Sequence, residues 1–180
     1  MGSPVSVKVM SREYVHCPLC AAPLEREHEG DHLRMKCRSC GFVQYRNPAP
    51  AAGVIIIEEG AVLLVKRRFD PYQGLWAIPS GFIEYEEDVR GTAAREVREE
   101  TGLAVELDGL HAVESCFDDP RGNSLLVLYR GHITGGSLRA GDDAEDVRFF
   151  PLGNLPPIAF EAHRTVLGAL AQTDGRTNGR

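Results

Sequence analysis

The sequence lacks the features of a membrane-spanning or exported protein. Among its 180 residues, no apolar run approaches the roughly 20 that a helix needs to cross a bilayer. The first stretch, MGSPVSVKVMSREY, has no apolar core of a secretory signal, so the expected location is the cytoplasm. Internal repeats and low-complexity segments are also missing. Hydrophobic residues at 43% and charged residues at 26% indicate a soluble globular protein with a core.

Net positive charge is also lacking. Lysine and arginine total 20 against 26 aspartates and glutamates, a formal net charge of -6. Proteins that bind nucleic acid through general electrostatic attraction carry the opposite balance, so the charge disfavours that class of partner. A small phosphate-bearing molecule stays compatible with the composition if divalent cations supply positive charge.

The chain has only five cysteines, an odd number. Because it also lacks an export signal, a disulfide framework is disfavoured. Four form the pairs CPLC and CRSC, separated by sixteen residues. This spacing is typical of a structural zinc site, because two residues between cysteines let one tight turn direct both sulfurs at a single tetrahedral ion. Two chance pairs of buried thiols, or a redox motif, are the alternatives. The predicted zinc ligands are Cys17, Cys20, Cys37 and Cys40, and Cys116 is expected in the core.

The pattern along the chain predicts a zinc ribbon at 13–47, a second domain at 50–172 and a flexible tail at 173–180. The ribbon is too small to bury enough apolar surface, so metal binding would supply its stability. The second domain opens with two apolar strands around a turn at 58–60, and it closes with a helix after Pro157. Between them lie a helix ending at Gly102 and strand-like runs at 103–107, 111–117, 124–133 and 147–150. Strands mixed with two helices indicate an α/β or α+β core.

The stretch AAREVREETGL gathers like charge on one side of the first helix. At 100° per residue, Glu96, Glu99 and Glu100 share an arc about 100° wide, while Ala93 and Val97 occupy the neighbouring apolar arc. A solvated charged face is the ordinary explanation. Carboxylates clustered on a rigid helix also suit Mg2+ or Mn2+, which prefer oxygen ligands and would relieve the repulsion.

The longer stretch GFIEYEEDVRGTAAREVREETGL, 23 residues from Gly81 to Leu103, resembles the signature of the Nudix hydrolases. The resemblance implies an α/β/α sandwich with a mixed sheet, following the small four-cysteine ribbon. It also implies divalent ions bound by Glu96, Glu99 and Glu100, with the general base among them. The residues matching Glu87 and Arg95 are structural partners of these glutamates in the family. Gly81 suits a close backbone approach with its carbonyl free to face the metal.

Family members cleave a nucleoside diphosphate linked to another group, and dimers are common among them. A further acid often comes from a late loop, where Asp143 is the first candidate as metal or substrate ligand and Glu145 the second. Candidate substrate contacts are Arg67, Phe82, Glu84, Tyr85 and Asp143. For Phe82 and Tyr85, core packing is an equal alternative to stacking on a nucleobase.

A four-cysteine ribbon before such a domain resembles NADH pyrophosphatases and shorter proteins that act on ADP-ribose or FAD. The proline- and aromatic-rich motif of the NADH group is missing, whereas Pro120 matches a proline of some ADP-ribose pyrophosphatases. The expected order of substrates is therefore ADP-ribose, FAD and NADH. The alternatives are a non-enzymatic nucleotide-sensing regulator and a nucleoside triphosphate or RNA-cap hydrolase.

Two positions depart from expectation. Glu86 replaces a glycine common before the first glutamate of the signature, which would strain the loop if the position needs a positive φ. Gly91 lies inside the predicted helix, where glycine costs about 1 kcal/mol relative to alanine unless close packing requires it.

Overall fold

A computed structural model describes residues 13–141 and 143–177. The chain divides between Asn47 and Pro48 into two compact units. The predicted tail is partly helical, because the last helix continues to Thr177, and residues 178–180 lie outside the described part. No described helix is long and apolar enough to span a membrane.

The first unit is a three-stranded antiparallel sheet formed by β1 (Glu25–Glu29), β2 (His32–Lys36) and β3 (Val43–Gln44) in that order. The two cysteine pairs lie in turns beside it. Each turn ends on a residue with positive φ directly after the second cysteine, Ala21 at 60° and Gly41 at 79°. The amide of each donates to the carbonyl of the first cysteine of its pair at 2.9 Å. The two turns therefore have matching backbone geometry.

The described residues of the second unit form nine elements. These are β4 (Ala49–Glu58), β5 (Ala61–Arg67), β6 (Trp76–Ala77), β7 (Ser80–Phe82), α1 (Val89–Thr101), β8 (Leu103–Cys116), β9 (Ser124–Gly136), β10 (Ala144–Pro151) and α2 (Glu161–Thr177). The sheet order is β10-β5-β4-β9-β8, with β6 beside β5 and β7 beside β4. Only the β4–β9 pair is parallel among the described strand pairs, so the sheet is mixed as expected.

The two helices cover opposite faces of this sheet. Successive side chains of a strand point to opposite faces, and β4 divides accordingly. Ile55 packs in the cluster that contains Leu167 of α2, whereas Val54 and Ile56 pack in the cluster that contains Val97 of α1. The expected α/β/α sandwich is confirmed. Cys116 is buried in the cluster on the α2 side, as the sequence indicated.

One strand prediction was wrong. The runs at 103–107 and 111–117 form the single strand β8, which pairs with β9 along its length. The register of the β8–β9 pairing shifts between Leu107 and Gly109. The strand therefore continues through Asp108 and Gly109, and the chain does not turn there. Such a bulge bends a strand without ending it.

Helix α1 begins and ends with side-chain and backbone caps. The Asp88 carboxylate accepts from the amides of Arg90 and Gly91, and Gly102 adopts the left-handed conformation at φ 73°. The predicted end at Gly102 is confirmed. Glu86 is not among the described non-glycine residues with positive φ. The loop before the helix therefore accommodates Glu86 without that strain.

Candidate active site

Helix α1 holds the acidic residues against strand β7. Ala93 and Val97 are fully buried on its apolar side, which fixes the rotation of the helix on the sheet. The backbone amide of Ser80 donates to Glu100 Oε2 at 3.0 Å. Gly81 lies so close to the helix that a Cβ at this position would collide with the Glu96 carboxylate. The glycine is thus explained by the close approach of the two elements.

Arg95 organises the carboxylates around it. Its Nε and Nη2 donate to the two oxygens of Glu87 at 2.6 and 2.8 Å. Its Nη1 donates to Glu96 Oε1 at 2.7 Å and to Glu99 Oε2 at 2.8 Å. One guanidinium therefore contacts three of the predicted site glutamates, as its planar fork of donors allows.

Glu87 is fixed as the ionised partner of this arginine. Hydrogen bonds from Arg95, then one from the Thr92 hydroxyl at 2.9 Å, lower the pKa of Glu87 to about 2. The hydrogen bonds that Arg95 donates, those to Glu87 foremost, raise the pKa of Arg95. This pair ties the loop before α1 to the helix itself.

Two carboxylates of α1, Glu96 and Glu100, are partly or fully withdrawn from solvent and close to other acids. Burial first, and then the Glu96 charge, raise the pKa of Glu100 to about 8. Burial likewise raises the pKa of Glu96, although Arg95 opposes the shift. A nearby divalent cation would favour the ionised form of both groups. The oxygen donors and their mutual repulsion thus fit Mg2+ or Mn2+.

The glutamates are not gathered around one point. In the described part of the chain, the one group of three or more side-chain ligands close enough for a single ion is the four cysteines. Glu96 and Glu99 instead face Arg95, and Glu100 faces the amide of Ser80.

A cleft of about 370 Å³ adjoins the acidic cluster, within the range of roughly 300–1,000 Å³ typical of small-molecule sites. Its lining includes seven predicted site positions besides Arg95: Arg67, Gly81, Phe82, Glu84, Glu96, Glu100 and Asp143. Asp143 borders this cleft and a second one that contains Glu99. Tyr85 is fully exposed and lies outside both linings. Glu145, the second choice for the late acid, pairs with Lys66 at 2.9 Å.

Sequence reasoning missed residues that reach the cleft from distant segments. Arg121 lines it from the loop between β8 and β9, where the sequence showed only a polar turn around Pro120. His163 of α2 lines a smaller adjoining cavity, and its Nδ1 accepts from the amide of Ile78 at 3.0 Å. No local signal marks either residue, because their placement depends on which loops meet at the sheet edge.

The cysteine cluster has dimensions suited to zinc. Cys17 Sγ lies 3.5 Å from Cys40 Sγ, and Cys20 Sγ lies 3.5 Å from Cys37 Sγ. All four sulfurs lie within 4.8 Å of one another. A tetrahedral ion with bonds of about 2.3 Å requires sulfurs about 3.8 Å apart, so the four thiols fit a zinc ion.

The chain resembles known proteins over most of its length. The family described as NUDIX domain matches residues 47–170. An ADP-ribose pyrophosphatase of Methanocaldococcus jannaschii is 41% identical over 123 residues, which are 68% of this chain and 73% of that protein. The NAD-capped RNA hydrolase NudC of Pseudomonas aeruginosa is 31% identical over 161 residues, 88% of this chain. This chain spans 55% of the NudC protein. The crystal structure of a NUDIX hydrolase from Nitrosomonas europaea superposes with a TM-score of 0.78 at 32% identity, covering 93% of this chain and 94% of that one.

Proposed function

The chain belongs to the Nudix family of hydrolases, and we propose that it hydrolyses the phosphoanhydride of ADP-ribose in a reaction that depends on Mg2+ or Mn2+. The observation that carries the proposal is the acidic side of α1, where Glu96 and Glu99 bind Arg95 and Glu100 binds the Ser80 amide. It lies beside a cleft that also contains Arg67. Acidic and basic groups on one cleft suit a diphosphate together with its cation.

The chain's own residues have distinct parts in this reaction. Glu96, Glu99 and Glu100 would hold the divalent ion, with Asp143 and the Gly81 carbonyl beside them, and the general base is a glutamate of this set. When bound, such an ion supplies Lewis-acid polarisation of the anhydride. Arg95 and Glu87 hold the glutamates in position, since a fixed geometry lowers the entropic barrier to attack by water.

The choice of ADP-ribose draws on the Methanocaldococcus jannaschii relative, whose name gives that substrate and whose sequence is 41% identical. FAD and NADH follow as substrates of the same bond type. NAD-capped RNA is a second candidate, because the match to NudC covers 88% of this chain. The net charge of -6 favours a small molecule over RNA. A cytoplasmic location and a homodimer stay predictions from the sequence.

For the first unit we propose a structural zinc ion on Cys17, Cys20, Cys37 and Cys40, whose sulfur spacing supports tetrahedral binding. Four thiolates leave no open position, which is typical of structural sites. Elemental analysis of freshly purified protein should give one zinc per chain. Protein without zinc would contradict this assignment.

The test of the reaction is a substrate panel of ADP-ribose, FAD, NADH, NAD-capped RNA and a nucleoside triphosphate, assayed with Mg2+ and with Mn2+. We expect Glu99→Gln and Glu100→Gln to remove nearly all turnover while the fold is kept. Glu106→Gln is the matched control, because Glu106 is exposed on β8 and lies outside both cleft linings. Wild-type rates in the two helix variants would overturn the proposed site.

A further inference from the structure

Arg121 is held rigidly at the mouth of the cleft by a neighbouring aspartate. Its Nε lies 3.0 and 3.1 Å from the two oxygens of Asp119, and its Nη2 lies 2.7 Å from Oδ2. The Arg121 backbone amide also donates to Asp119 Oδ1 at 2.8 Å. Asp119 is only 5% exposed. A buried carboxylate that receives these bonds fixes both the loop and the guanidinium.

The aspartate leaves part of the arginine available. Nη1 takes no part in the bonds to Asp119, and the Arg121 side chain is 47% exposed. The guanidinium lies over the ring of Phe82, with 5.5 Å between Cζ and the ring centroid. This cation–π contact occupies one face of Phe82, so a nucleobase cannot stack on that face. Arg121 therefore presents a positioned donor group to the cleft.

Arg67 lines the same cleft from the end of β5. Its Nε donates to the Pro71 carbonyl at 2.7 Å, and its guanidinium lies 5.0 Å from the centre of the Phe160 ring. Burial lowers the pKa of Arg67, and the charge of Arg121 lowers it further. The guanidinium groups of Arg67 and Arg121 are thus held by different partners and repel each other within the same cleft. An anion between them would relieve this repulsion.

We propose that Arg67 and Arg121 form a subsite for the phosphoryl group of the substrate that the acidic helix does not hold, with Asp119 as the positioning residue of Arg121. The inference rests on the proposed function, because it assumes a ligand with two linked phosphoryl groups. The cleft lining carries the two arginines together with Glu96, Glu100 and Asp143. A diphosphate has one phosphoryl group for each of these two parts of the lining.

The probe is methylenediphosphonate, a pyrophosphate analogue without a hydrolysable anhydride, titrated calorimetrically into the full zinc-loaded chain with Mg2+. We expect Arg121→Gln to raise its Kd on the order of tenfold to a hundredfold, the effect of hydrogen bonds to a charged group. Arg121→Lys should fall between Arg121→Gln and the wild type, because lysine keeps the charge but loses the planar fork. Arg90→Gln is the matched control, since Arg90 lies 5.4 Å from the Tyr129 ring centre but outside both cleft linings.

The positioning role of Asp119 has its own readout. Asp119→Asn should raise the KM for ADP-ribose more than it lowers kcat, because it loosens a binding group and leaves the glutamates in place. Thermal unfolding followed by Trp76 fluorescence verifies that each variant is folded. Should Arg121→Gln fail to fold, the Kd of Arg121→Lys decides, and a value equal to that of the wild type contradicts the subsite.

The outcomes separate the subsite from the proposed function. If the wild type hydrolyses ADP-ribose but Arg121→Gln binds the diphosphonate within twofold of the wild type, the subsite alone is wrong. If ADP-ribose is not hydrolysed but binding of the diphosphonate depends on Arg121, the subsite stands and the hydrolytic proposal fails. A wild type that does not bind the diphosphonate overturns the subsite.

Discussion

His163 gives the second unit a measurable dependence of stability on pH. The side chain is buried on α2, and its Nδ1 accepts from the Ile78 amide. Burial, followed by the charges of Arg67 and Arg164, lowers its pKa to about 3. The unfolded chain has the ordinary histidine pKa of about 6.5, so unfolding takes up a proton at any pH between these values. Stability contributed by neutral His163 is therefore lost as the pH falls below 6.5.

The magnitude follows from the two pKa values. Between pH 7.5 and pH 5 this single group should remove about 2 kcal/mol from the free energy of unfolding. At pH 5 the native form is essentially unprotonated even if its pKa is 4, so the figure hardly depends on the native value. His163→Asn keeps a side-chain acceptor for the Ile78 amide but does not titrate. The difference in stability between wild type and this variant should therefore shrink by about 2 kcal/mol over that range.

Urea unfolding followed by fluorescence measures this difference directly. The chain has one tryptophan, Trp76, which lies in the core of the second unit, so its signal reports that unit. His132→Asn is the comparison variant, because it removes a histidine whose side chain is 56% exposed. Such surface substitutions usually change the free energy of unfolding by no more than about 0.5 kcal/mol. A difference between wild type and His163→Asn that stays constant from pH 7.5 to pH 5 would refute the neutral burial of His163.

Two glycines of the signature should give different results when alanine replaces them: one substitution should change stability and the other should change turnover. Gly91→Ala should raise the free energy of unfolding by about 1 kcal/mol, because Gly91 is exposed inside α1 and a Cβ there meets no heavy atom within 4 Å. Urea unfolding measures this change. A destabilised variant would contradict the prediction. Gly81→Ala should lose most of its ADP-ribose turnover while its melting temperature stays close to that of the wild type, because the added Cβ collides with the Glu96 carboxylate. Unchanged turnover would show that Glu96 need not occupy this position.

The features that the sequence predicted well depend on neighbours in the chain. The angular spacing of Glu96, Glu99 and Glu100 follows from helix geometry alone, and Gly102 ends the helix through its own backbone conformation. The two cysteines of each pair likewise lie together because one turn of a few residues contains both. Such signals need no knowledge of the remaining fold.

The features that were missed depend on contacts between distant segments. Whether Gly109 turns or bulges the chain is decided by the pairing of β8 with β9, which compensates for a locally unfavourable residue. Arg121 reaches the cleft because a hairpin loop ends beside β7. His163 reaches the smaller adjoining cavity because α2 packs against the segment after β6. The polar turn around Pro120 would have the same composition anywhere on the surface. Its composition therefore could not show that it lies beside the cleft.

The two sides of the cleft therefore differ in how the chain encodes them. Glu96, Glu99, Glu100 and Arg95 come from a single helix whose caps and packing fix them together. The opposite side combines Arg67, Phe82 and Arg121 from the end of β5, from β7 and from a hairpin loop. A substitution of Arg67 or Arg121 can weaken the binding of a phosphoryl group without moving the helix, because the helix caps and the contacts with Glu87 remain. We therefore expect Arg121 variants to keep turnover at saturating substrate, with a raised KM for every diphosphate substrate.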